Sequence, residues 1–322
     1  MARQQNTVSR SGGLGMTELL VAMVLGLFLV IAAAAIFVAC RNAYLIQDDS
    51  IRLQDTGRFA IESIGRAVSQ AGFTDPSMAQ RGTSTPSAVA GLDNRTLKST
   101  SPEIRSPIAK AINGSDVLAL HFSGAGEGPD GDGSITNCAG FSVGHTDANS
   151  ETDHGWSIFY IATDHTGEPE LYCKYRGKHA WATAAIARGV ESFQVLYGVS
   201  ERGDGPPARF LNASQIDDLD RALPSESLPP EERLAEKNRQ SYWEKISQIK
   251  VALLVRGAQP IRADIPTQRW QLFGDAYDAI NADNDPGSRF NESDVPASHR
   301  NRLRKLFQAD FRVRNVMPQS VP

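Results

Sequence analysis

The stretch GGLGMTELLVAMVLGLFLVIAAAAIFVAC, residues 12–40, holds a single acid, Glu18, at the leading edge of an apolar run. From Leu19 to Cys40, 22 residues pass without a charge, Asn, Gln or Pro. At about 1.5 Å per residue an α-helix of that length crosses a hydrocarbon core roughly 30 Å thick. The residues in front, MARQQNTVSRSGG, carry Arg3 and Arg10 and no acid. The positive-inside bias then keeps the short N-terminus in the cytoplasm and sends the C-terminal bulk outward. A carboxylate near the centre of a membrane helix costs roughly 2.5–3.5 kcal/mol, so Glu18 needs either a partner or a place at the aqueous interface.

The helical pattern does not stop at Cys40. No proline occurs from Leu14 to Ala71, and Ile61, Ile64, Val68 and Ala71 fall at offsets 0, 3, 7 and 10, an amphipathic stripe. Gly72 is placed as a C-cap and Pro76 lies beyond it. The spacing predicts one helix of 58 residues over 14–71, roughly 87 Å long, provided that Gly26, Gly57 and Gly65 do not break it. Its first half is apolar all round and needs lipid or other helices; its second half has one stripe and needs a domain to cover it.

Residues 74–115 are rich in Ser, Thr, Pro and Gly and read as an irregular connection. Strand-like runs follow at 116–122, 156–162, 170–176, 190–199, 246–256 and 303–315. Without a βαβ rhythm they favour an antiparallel sheet with the long helix on one of its faces, an α+β fold. The polar stretch 200–242 reads as an insertion, with a short helix expected in LPPEERLAEKNRQ. The domain expectation is therefore a leader over 1–13, an apolar helix over 14–40, its amphipathic continuation over 41–72 and a β-rich globular part over 73–322.

The 322 residues are 41% hydrophobic and 22% charged, enough for a core, and the net charge of -4 comes without a basic stripe, so no direct nucleic-acid contact is expected. Besides Cys40 there are two cysteines, Cys138 and Cys173. Exported, such a pair fits one disulfide; two free thiols is the other reading.

Three readings compete for the N-terminus. A cleaved secretory signal has an apolar core of only about 7–15 residues, shorter than this one. A lipoprotein signal uses FVAC, with lipidation at Cys40 and an unusual Phe37. The third uses Glu18: a basic leader, Gly13, an apolar Leu14, and an acid four positions further on. That pattern resembles the class III signal of type IV pilins and pseudopilins. A cut after Gly15 would put Glu18 third and lose the spacing. Downstream, VESFQVLYGV, an insertion, KVALLVRG and LRKLFQADFRVRNV resemble the C-terminal half of the PilW type of minor pilin.

The resemblance implies cleavage by prepilin peptidase after Gly13 and N-methylation of the new terminal Leu14. It also implies a subunit-assembly role for Glu18, paired with the terminal amine of a neighbouring subunit. The implied location is the inner membrane, single-pass with the C-terminal domain in the periplasm, and then the pilus. The implied partners are other minor pilins and the major pilin, prepilin peptidase, the inner-membrane assembly platform and membrane lipid. The implied work is initiation of pilus assembly and the tip complex, supporting adhesion, twitching motility or DNA uptake. A J-type pseudopilin of type II secretion and a membrane-anchored or lipidated periplasmic binding module are the alternatives.

No catalytic constellation is expected. The six histidines lack zinc-ligand spacing, and no Walker loop, GxSxG or CxxC occurs, so catalytic residues, cofactor and metal are each expected to be none. PDGDGS at 129–134 and NADNDPG at 281–287 look superficially like calcium loops but lack the later glutamate, and solvated turns are the simpler reading.

Overall fold

The computed structural model describes residues 15–74, 87–128, 130–145, 155–200, 205–223, 240–260, 267–281 and 283–314. It divides into one unit that ends at Asp48 and a second that begins at Asp49. Helix α1 runs Met16–Gln70, 55 residues, close to the predicted span. Neither Gly26, Gly57 nor Gly65 breaks it. It ends in Gly72, whose positive φ of 70° is the left-handed cap that glycine adopts without a Cβ penalty.

The second unit holds the strands β1 Val89–Leu92, β2 Arg95–Thr96, β3 Ile108–Ala109, β4 Val117–His121, β5 Trp156–Thr163, β6 Pro169–Arg176, β7 Trp181–Arg188, β8 Val190–Val199, β9 Arg209–Leu211, β10 Ile246–Arg256, β11 Arg269–Gln271, β12 Arg289–Asn291 and β13 Arg304–Arg312, with short helices α2 Ala213–Arg221 and α3 Asp275–Asn281. These form two principal antiparallel sheets, one in the order β1-β4-β5-β6-β7 and one in the order β13-β10-β8-β9. The α+β class holds, but the single sheet expected from the sequence is two. The break is at Gly189, with φ of 79°. Its N–H donates to Pro169 O at 2.8 Å, and its carbonyl accepts from Arg256 N at 2.8 Å. One long extended stretch thus leaves the first sheet as β7 and enters the second as β8.

Segment 74–115 is also less irregular than expected, since it contributes β1 to the first sheet and the β2–β3 pair. The expected helix in LPPEERLAEKNRQ falls almost wholly outside the described residues. Within the same polar stretch α2 does form. Its Asn212 cap accepts from Gln215 N, and the Gln215 side chain returns to the Asn212 amide, a reciprocal pair that satisfies two orphan donors of the first turn.

One core joins the helix to both sheets. Leu53, Ala60, Ile64, Ala67 and Val68 of α1 share it with Leu118, Leu120, Phe159, Ile161, Phe193, Val195, Val251 and Leu253. Each fully buried Leu, Ile, Val or Phe stabilises by about 1.5–3 kcal/mol. The far face of the second sheet is covered by the long excursion between β10 and β13, which packs Leu272, Phe290 and Val295 on Ala252 and Leu254. That is why β10 is apolar on both faces rather than alternating.

Candidate functional site: the N-terminal helix and its seat

The first unit is dominated by the N-terminal part of α1. Its most apolar 18-residue window has a mean hydropathy of 3.0 and no buried residue, so this helix is long and apolar enough to cross a membrane. Leu19, Phe28, Leu29 and Phe37 are each more than half exposed within the chain. An apolar surface of this extent has to be met by lipid or by other protein.

Glu18 sits at the head of this surface, in the third helical position. Its Oε2 accepts from Gly15 N at 3.1 Å, while its own N–H donates to Gly15 O at 3.0 Å. The carboxylate therefore caps an orphan amide at the positive end of the helix dipole. Gly13 and Leu14 lie outside the described residues.

The second half of the helix has a seat prepared for it. A Cβ at Gly57 would collide with the ring of Phe307, and one at Gly65 would fall 2.6 Å from Phe311 Cε1. The two glycines that looked like helix breakers are sockets for two phenylalanines of β13. Eight helical residues rise about 12 Å and four strand residues about 13 Å, so both pairs meet in step.

Cys138 and Cys173 are joined by a disulfide with Cα atoms 5.9 Å apart. Cys173 belongs to β6 and Cys138 to the glycine-rich loop after β4. The bridge therefore fastens that loop to the sheet, helped by Cys138 N donating to Ser157 Oγ at 2.9 Å. The same loop reaches the end of α1, where Thr136 N donates to Gln70 Oε1 at 3.3 Å. Cys40 is a free, exposed cysteine.

Charges are buried inside the sheets, a feature that strand patterning missed. Arg304 donates to Glu191 at 2.6 Å and to Glu292 at 2.6 Å, and Arg256 to Glu191 at 2.9 Å and to Glu168. Arg304, Arg256, Glu191 and Glu292 are all at most 2% exposed in their side chains. Burial works against the charge on Glu168, but the Arg256 hydrogen bond and the Arg256 and Arg302 charges outweigh it and hold its carboxyl below the usual range. Lys174, also buried, donates to Lys98 O, Ser101 Oγ and Glu103 O, and desolvation lowers its ammonium to about 8.

The NADNDPG loop departs from the solvated turn expected of it. Asp285 is only 4% exposed and accepts from Tyr277 OH at 2.8 Å. Desolvation, reinforced by Asp93, raises its carboxyl to about 6. Asp116 is pushed up in the same way, by burial first and then by Asp93 and Asp285, although its oxygens accept from Asn94 N and Val195 N. In the other loop Asp130 pairs with Lys178 at 2.7 Å. Among the described residues no group of three or more His, Cys, Asp or Glu is arranged to hold a metal ion.

Residues 158–315 match the family model described as Type IV Pilus-assembly protein W. No curated protein matches the chain. Among solved structures the chain is similar to a type IV-like pilin, TTHA1219 from Thermus thermophilus, at 15% identity and a TM-score of 0.34, with 82% of this chain and 98% of that one covered.

Proposed function

We propose that the chain is a minor pilin of a type IV pilus, a structural subunit rather than an enzyme. The observation that carries this reading is the match of residues 158–315 to the pilus-assembly family. In this reading prepilin peptidase cuts after Gly13, Leu14 becomes the methylated N-terminus, and the apolar part of α1 holds the subunit in the inner membrane with the β-rich part in the periplasm. The same apolar surface then passes from lipid to neighbouring helices when the subunit is drawn into the filament. The role is to start assembly with the other minor pilins and to remain in the tip complex, where adhesion, twitching motility or DNA uptake depends on it.

Glu18 makes the transfer between lipid and filament directional. Before assembly its carboxylate is held by the Gly15 amide at the helix start. In the filament it exchanges that neutral donor for the charged terminal amine of an adjacent subunit, whose reference pKa of about 7.7–8.0 leaves it mostly protonated. A charge-assisted pair at low dielectric is stronger than the cap it replaces.

The test is co-isolation from a piliated host. The tagged wild-type chain should bring down the other minor pilins, and Glu18→Ala, still cleaved, should lose them and leave few pili. A cleaved Glu18→Ala chain that assembles with full efficiency sinks the pairing, and a wild-type chain recovered without any minor pilin sinks the assignment.

A further inference from the structure

The seat of α1 has three stations, eight residues apart along the helix: Asp49, Gly57 and Gly65. The last two meet Phe307 and Phe311, four residues apart on β13. Four residues before Phe307 is Leu303, whose carbonyl accepts from Gly257 N at 2.7 Å. Gly257 and Ala258 form the turn that leaves β10, and this turn receives Asp49. The Asp49 side chain is buried, and its Oδ1 accepts from Ala258 N at 3.1 Å. A Cβ at Gly257 would overlap the Asp49 carboxylate. The far end of the seated helix is held separately, by Gly72 N donating to His121 O at 2.8 Å and by Gln70 with Thr136.

We propose that Asp49 is a positioning residue that pins the near end of the seated helix, and that position 257 is glycine because it must admit the carboxylate. The two phenylalanine stations repeat one apolar contact and carry no polar signature. Asp49 is the polar station, a buried acceptor whose bond from the Ala258 amide forms in this placement of the helix and is lost when the helix shifts. The pin belongs to the second unit alone and is independent of the reading as a pilus subunit.

Hydrogen exchange on the full chain in detergent micelles tests it, with wild type, Asp49→Ala, Gly257→Ala, the double variant and Asp49→Asn. Each single loss, Asp49→Ala or Gly257→Ala, should speed exchange of amides 50–57 at least tenfold and leave 60–68 within twofold. Gly257→Ala should add nothing to Asp49→Ala, because removing the carboxylate vacates the space that the new Cβ needs. Asp49→Asn, whose Oδ1 still accepts from Ala258 N, should lose less protection at 50–57 than Asp49→Ala. Unchanged exchange at 50–57 in Asp49→Ala overturns the proposal. So does a Gly257→Ala effect of the same size with and without the carboxylate, or loss of protection throughout the unit in both single variants.

Discussion

Asp285 is a buried acid that the globular unit carries at a cost, and replacing it by Asn should show how large the cost is. Its carboxyl stands at about 6 in the folded chain against an ordinary 3.8, chiefly through desolvation and then through Asp93, with the Tyr277 hydrogen bond opposing. The folded state therefore binds the proton more tightly than the unfolded chain does. Well below pH 3.8 both states are protonated and nothing is lost. Between about 4 and 6 the unfolded chain ionises first and stability falls as pH rises; above 6 the deficit is constant. Two pKa units at 1.36 kcal/mol each make it about 3 kcal/mol. Asp285→Asn keeps an acceptor for Tyr277 and removes the titration. It should be about 2–3 kcal/mol more stable than wild type at pH 7 and equal to it within about 0.5 kcal/mol at pH 4. Any relief of the neighbouring Asp116 adds in the same direction, since Asp285 is one of the charges that raise it. Urea unfolding of the full chain in micelles, repeated from pH 4 to pH 8, reads this directly. A difference that stays flat with pH, or a variant that is the weaker of the two at pH 7, refutes the reasoning.

Other expectations follow from the same packing. Gly57→Ala gains about 1 kcal/mol of helix propensity but drives a Cβ into Phe307, for a net loss of about 1–2 kcal/mol in unfolding that Phe307→Ala suppresses. Gly26→Ala, with nothing within 4 Å of the new methyl, should show only the gain. Arg304→Met takes the arginine from buried Glu292 and leaves Glu191 with Arg256 alone, and should cost about 3–5 kcal/mol at pH 7, a loss that shrinks when Glu292 is replaced by Gln as well. Replacing Cys138 and Cys173 by Ser opens a loop with a sequence separation of 35 and should cost about 3–4 kcal/mol, and the wild-type chain should fall to the same stability in reductant.

Much of the architecture was legible because it rests on periodicity. No proline interrupted residues 14–71 and a 3.6-residue stripe marked Ile61, Ile64, Val68 and Ala71, and the strands at 156–163, 190–199 and 246–256 are long β-branched or aromatic runs, so their ends were found to within a residue. What was missed lacks such a signal. Strand β7 reads WATAAIAR, whose alanines favour helix and whose partial burial leaves no alternation. The division into two sheets turns on Gly189 alone, a residue that looks like any other strand glycine until its carbonyl and amide are seen to serve different sheets. Helix α2 was overlooked although Asn212 and Gln215 spell its capping pair. Gly57 and Gly65 looked like weaknesses because their partners, Phe307 and Phe311, lie some 250 residues downstream, and no local rule connects them. Glu191, Arg256 and Arg304 were read as strand residues without a role, since only the fold brings the three together.

At the N-terminus, Glu18 was the one residue whose oddity could be read directly, and the structure adds how it is held before any partner arrives. The central claim, that this residue stands fifth in a processed filament subunit, is tested most directly by the intact mass and N-terminal sequence of the mature protein from a host with an active prepilin peptidase. The account predicts a chain that begins at Leu14 and carries one methyl group on its amine. A mature protein that still begins at Met1, or one that begins at a lipidated Cys40, contradicts it.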